Sequence, residues 1–156
     1  MLGRDLVPLF EEAITTPGRW SSSSKERKDK HVHASKAQLA ADTFAEAKQL
    51  RRAGFRKQAI ESLLTALELG VDVLATHHQV AIKRSGMGLH AGRKAAAQEL
   101  CAEGRVVRKV VWALCTVDRD RQAVRYEGRD SRLTEAQVES LVGLVASVVR
   151  GAQQLS

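Results

Sequence analysis

Between about residues 56 and 83, apolar side chains recur at three- and four-residue steps: Ile60, Leu64, Leu67, Val71 and Leu74, with His78 and Ala81 continuing the line. A stripe of that length has one regular solution, a long amphipathic α-helix with one face buried. No other part of the chain offers a competing pattern. Proline occurs only at Pro8 and Pro17, and aromatic residues make up 4% of the chain. A β-sandwich needs β-branched and aromatic strands cut by frequent turns, so that class is excluded. Hydrophobic residues at 44% of 156 positions suffice for a single core. The expected fold is all-α: an up-and-down bundle of about five helices with a separable N-terminal arm.

The remaining helices follow from the same periodicity. Leu2, Leu6, Leu9, Phe10 and Ile14 form an apolar stripe over residues 2–15. Pro17-Gly18, the run Ser21–Ser24 and a mixed-charge stretch to His33 read as a mobile basic linker. Two parts are therefore expected, an arm over residues 1–33 and a bundle over 34–156. Ser35 is a plausible cap for a helix over 35–53, with Leu39, Phe44, Ala47 and Leu50 inward and Gly54 ending it. Gly70 weakens the long helix by about 1 kcal/mol relative to Ala. The run SGMGLHAG, Ser85 to Gly92, breaks the chain. A short helix over 92–103 stops at Gly104, and another runs from about Val106 through Asp118. Val107, Val110, Val111, Leu114 and Cys115 point inward there, and the helix continues or kinks into DRDRQAVRYEGRD. Thr134 and Gln137 form a capping box for the last helix, whose buried face carries Leu141, Leu144, Val145 and Val148.

Twenty-five basic residues oppose 18 acidic ones, a formal charge of +7. That excess favours a polyanionic partner, most simply RNA or a nucleotide. Cys101 and Cys115 form no metal-ligand cluster and read as buried free thiols of a reducing compartment. No secretion signal and no membrane-length apolar run occurs, so a cytoplasmic protein without membrane contact is expected. No Walker loop, dinucleotide fingerprint, HExxH or GxSxG motif is present, and no cofactor or metal is expected.

Among the histidines, His78 lies on the apolar stripe and reads as a core residue. His77 points in another helical direction, so the pair is not expected to face one site. His31 and His33 belong to the linker, and His90 lies in the glycine-rich break, where loops carry function more often than helices. The densest charge feature is residues 118–132, with Arg119, Arg121, Arg125, Arg129 and Arg132 among Asp118, Asp120 and Asp130. Arg121 and Arg125 share a helical face, as do Arg125 and Arg129. Such a ridge binds phosphate through forked donors, or else forms solvated Arg–Asp pairs. Tyr126, the only tyrosine, sits inside it and is suited to stacking on a base.

Four segments resemble the HEPN family. AADTFAEAKQLRRAGFRKQAIESLLTALELGVDVLA is similar to its first helical hairpin, and GLHAGRKAAAQELCAEG to the short helix that follows. DRDRQAVRYEGRD and TEAQVESLVGLVASVVRGAQ resemble its closing pair, so the likeness covers about residues 34–153. It implies a homodimer that places an arginine and a histidine, four to six residues apart, at its interface. In that family the pair cuts RNA without metal: the arginine holds the scissile phosphate and the histidine moves a proton. One family pattern is Arg-x4-His-x-Tyr. Counted back from Tyr126, the arginine is Arg119 and the histidine position is Val124, which cannot transfer a proton. Arg119 and Tyr126 are thus the candidate catalytic residues, with Arg119, Arg121, Arg125 and Arg129 for nucleic acid. Arg84/His90 and Arg27/His33 match the loose spacing too, a match that chance readily supplies.

The expected function is a catalytically degenerate HEPN-like component of a prokaryotic toxin–antitoxin or antiviral defence system, contacting RNA or a nucleotide. Its partners would be a second copy and an antitoxin or effector-complex protein. The alternatives are an active metal-independent ribonuclease and a basic small subunit of a CRISPR-type ribonucleoprotein.

Overall fold

A computed structural model describes residues 22–84, 86 and 88–156. Five helices follow one another: α1 (Ser22–Arg52), α2 (Arg56–His77), α3 (Leu89–Ala102), α4 (Arg108–Glu127) and α5 (Glu135–Gln154). They build the expected all-α bundle, and no described helix is long and apolar enough to cross a membrane. The expected arm helix over residues 2–15 lies outside the described residues.

α1 and α2 form an antiparallel hairpin. Gly54, at φ +84°, turns the chain, and the Phe55 amide donates to the Leu50 carbonyl at 2.9 Å. α1 starts at Ser22, ahead of the expected Ser35. The stretch KERKDKHVH contains no glycine or proline, and its Lys, Glu and Arg are good helix formers. Much of the stretch read as linker is therefore helical.

Leu63, Leu64 and Leu67 of α2 pack with Leu100, Leu114 and Leu141 from the three later helices, all fully buried. α2 is the axis of the fold, touching every other helix. Gly70 has a packing reason that composition does not reveal. A Cβ there would lie 2.6 Å from Val148 Cγ1, so the glycine lets α2 and α5 approach closely.

α2 ends earlier than its stripe suggests. Gln79 adopts φ +60°, and the Val80 amide returns to the Ala75 carbonyl at 2.8 Å. Val80 is buried in place of Ala81, which is exposed. His78 caps the helix half-buried rather than sitting in the core, and burial lowers its pKa, helped by Arg105 and His77. Once the helix ends, the His77 and His78 rings meet edge to face at 4.9 Å, against the expectation that they diverge. The chain then doubles back, so α3 runs in the same sense as α2 and opposite to α4. His90 reaches Glu68 while Lys94 reaches Asp118.

Two residues expected inside are outside. Leu39 is 52% exposed, since Ala40 and Ala47 carry the buried face of α1, and Val107 is 60% exposed at the N-cap of α4. Cys101 and Cys115 are free and half-buried. α4 continues without a kink through Tyr126 to Glu127, and Gly128 stops it at φ +62°. α5 begins with the expected capping box: Thr134 Oγ1 accepts from the Gln137 amide, and Gln137 Oε1 accepts from the Thr134 amide.

Candidate functional site

α4 carries charge on more than one face, and the arginines of residues 118–132 are divided among those faces and the loop that follows. Residues 119 and 121 are two apart, about 200° around a helix, so they point in nearly opposite directions.

On one face, Arg119, Ala123 and Tyr126 recur at helical spacing and line an open cleft of about 530 Å³. Its far wall is the loop that follows α4, including Arg129, Arg132 and Leu133. Asp120 holds that loop against the helix. Its carboxylate accepts from Ser131 Oγ at 2.6 Å and from the Arg132 amide at 2.8 Å. Arg56 braces the loop from α2, donating to the Leu133 carbonyl and, at 2.6 Å, to Glu135. Arg129 pairs with Glu127. Arg119 and Arg132 make no ion pair among the described residues, and Tyr126, on the same cleft, is 78% exposed. The cleft, which Asp120 and Glu127 also line, therefore presents the forked donors of Arg119 and Arg132 beside an exposed aromatic ring.

Val124 does not join Arg119 there. It lines a separate cleft with Arg56, Lys57 and Arg129. Arg119 and Val124, paired by the resemblance to the HEPN motif, thus open on different clefts.

The opposite face of α4 is a dense polar network reaching α2 and α3. Glu68 and Asp72, one turn apart on α2, are buried. Arg93 forks onto Asp72 with two bonds of 2.8 Å and reaches Glu68 at 3.3 Å. The hydrogen bond to Asp72 raises the Arg93 pKa against the opposing effect of burial. Lys36 adds a longer contact with Asp72 at 3.6 Å. Asp118 takes bonds from Arg121 at 2.6 Å, Lys94 at 2.9 Å and Gln122 at 3.1 Å. Burial pushes the Asp118 carboxyl up, but Lys94 and Arg121 outweigh it and hold the pKa below its ordinary value.

His90 joins the two halves of this network. Nδ1 lies 2.6 Å from Glu68 Oε1, and Nε2 lies 3.3 Å from Arg121 Nη2. A guanidinium only donates, so Nε2 is the acceptor and Nδ1–H donates to Glu68. Every buried side-chain nitrogen and oxygen among the described residues has a partner.

Of the four arginines expected to contact nucleic acid, Arg119 and Arg129 line the Tyr126 cleft and the other two do not. Arg119 opens on the Tyr126 cleft, and Arg121 is 11% exposed and committed to Asp118. Arg125 faces α2, where it pairs with Glu61 at 3.3 Å, and Arg129 lies beyond the helix end. A ridge counted along the sequence assumes one helical face. Here Asp118 draws Arg121 inward, and Gly128 turns the chain before Arg129.

Glu68, Asp72, Arg93 and Lys94 are absent from the sequence-based site. The signal that could have found the first two is a pair of acids at i and i+4 within the apolar stretch of α2. Their partners lie more than 20 residues away, beyond the reach of local spacing. Among the described residues no cluster of three His, Cys, Asp or Glu side chains could hold a metal ion. No family model matches the chain, and neither does any curated protein or solved structure.

Proposed function

We propose that the chain is a HEPN-like, RNA-associated protein of a prokaryotic toxin–antitoxin or defence system, working as a homodimer and catalytically degenerate at Val124. The supporting observation is the cleft that Arg119 and Arg132, neither ion-paired among the described residues, share with the exposed ring of Tyr126. Phosphates would meet the guanidinium forks and a splayed base would stack on the ring, the combination that suits single-stranded RNA. The net charge of +7 adds attraction at long range.

The test is binding of labelled single-stranded RNA, without metal, over a series of salt concentrations. The wild type should bind with strong salt dependence. The pair Arg119→Gln and Arg132→Gln should weaken binding and flatten its salt slope by about 0.7 for each phosphate no longer neutralised. No binding by the wild type, or unchanged binding by the double variant, refutes the reading.

A second reading, an active metal-independent ribonuclease, draws on one observation: Glu68 orients His90, and Arg121 lies beside Nε2. It requires RNA cutting that disappears in His90→Ala. The degenerate reading requires none above background.

A further inference from the structure

At the end of the bundle remote from the Tyr126 cleft, Leu74, Val106, Val107, Val110, Leu144 and Val148 line a groove of about 350 Å³. Arg105 and Arg150 border it, and neither makes an ion pair among the described residues. Val107 stands at its lip, 60% exposed. We propose that this groove is occupied by the chain's own N-terminal segment, residues 2–15.

Position, pattern and charge agree on that occupant. Ala37 of α1 packs with Val73 and Ala152, so α1 enters the bundle where α2 and α5 end. The groove lies at that same end, with Leu74 and Gln154 on its walls. α1 begins at Ser22, about 22 Å along its axis before Ala37 at 1.5 Å per residue. From residue 22 back to residue 15 are seven Cα steps, about 24 Å when extended. They can therefore bring residue 15 back to the level of the groove.

The segment itself carries Leu6, Leu9, Phe10 and Ile14 at helical spacing. A helix this short is marginal in water and needs an apolar surface against its stripe. Its charge runs opposite to that of the whole chain. Asp5, Glu11 and Glu12 outnumber Arg4, and the groove offers two guanidiniums that make no ion pair among the described residues. Docking covers Val107 and brings acids to Arg105 and Arg150.

Disulfide trapping in the full-length chain tests this. In a background with Cys101→Ser and Cys115→Ser, Phe10→Cys is combined with Val107→Cys, or with Phe55→Cys as control. Phe55 is 54% exposed at the opposite end of the bundle. Oxidation at high dilution should give an intramolecular disulfide in the first pair, at least tenfold above the control. Reversing Glu11 and Glu12 to Lys should cut the yield several-fold, and adding Arg105→Glu with Arg150→Glu should restore it. Equal yields in the two pairs overturn the proposal. So does a disulfide between chains whose yield rises with concentration, because a second copy then fills the groove. Hydrogen exchange on the unaltered chain gives an answer free of folding defects. The amides of residues 9–14 should exchange at least tenfold slower than in a free peptide, and free-peptide rates overturn the docking. RNA binding is not a readout of either experiment, so both stand apart from the proposed function.

Discussion

Arg119 and Arg121 sit two residues apart on α4 and differ in nearly every physical respect. Arg119 lines an open cleft and makes no ion pair among the described residues, whereas Arg121 is held against a carboxylate whose side chain is 2% exposed. The difference comes from the helical turn between them and from Asp118, which makes one face of α4 a structural joint. A guanidinium already neutralised by a buried acid has little left to offer a ligand. An unpaired one at a cleft mouth keeps its full hydrogen-bonding capacity. Charge density along a sequence does not separate the two cases.

The sharpest way to break this contrast is to remove Asp118. Asp118→Ala leaves Lys94 and Arg121 facing each other in a partly buried site, and deleting one partner of such a pair costs about 3–5 kcal/mol. Urea unfolding should show that loss. A midpoint equal to the wild type's would mean the network is no joint.

Acid should attack the same face. Because the folded-state pKa of Asp118 lies below its ordinary value, its stabilisation is fully present above the unfolded pKa, about 3.9. It is lost as pH falls through the depressed folded value. Glu135, lowered chiefly by its bond with Arg51, follows the same direction at an exposed site. Stability should therefore decline below about pH 4, and Asp118→Asn should make that decline shallower.

Tyr126→Ala addresses the open face. If a base stacks on the ring, RNA affinity should fall by about 1–3 kcal/mol, while the urea midpoint stays put because the side chain is exposed. A shift in stability with unchanged affinity would reverse the assignment of the two faces.

The smallest effect belongs to Arg125. Its pair with Glu61 is half-exposed, so Arg125→Gln should change stability by only about 0–1 kcal/mol. Arg121→Gln should cost more stability than Arg125→Gln and leave the salt slope of RNA binding unaltered. Equal behaviour of the two variants would argue for a single ridge after all.

Local chemistry was readable where it acts locally. The Thr134/Gln137 capping box needs only residues three apart, and the Ile60–Leu74 stripe needs only the helical period, so both appear as expected. Leu39 misleads because a stripe gives a direction but not a depth, and the alanines beside it bring α1 closest to its neighbours. Gly70 reads as a weak point until Val148, far along the chain, is seen to press against it. The polar network was hidden for the same reason: Glu68 meets His90 and Asp72 meets Arg93 only after residues 78–88 double back. Arg119 and Tyr126 were paired through the HEPN resemblance, and they share a cleft because seven residues make about two helical turns. The loop arginine that completes their cleft, Arg132, depends on the hold of Asp120.

That hold has a kinetic consequence. The Asp120 carboxylate fixes Ser131 and Arg132, Arg56 braces Leu133, and the capping box fixes the entry to α5. The bonds that hold this wall of the cleft are made within the chain and need no ligand. If RNA binds there as proposed, capture should proceed in one step. The observed rate should rise linearly with ligand concentration, without a plateau, and ionic strength should act mainly on the slope of that line.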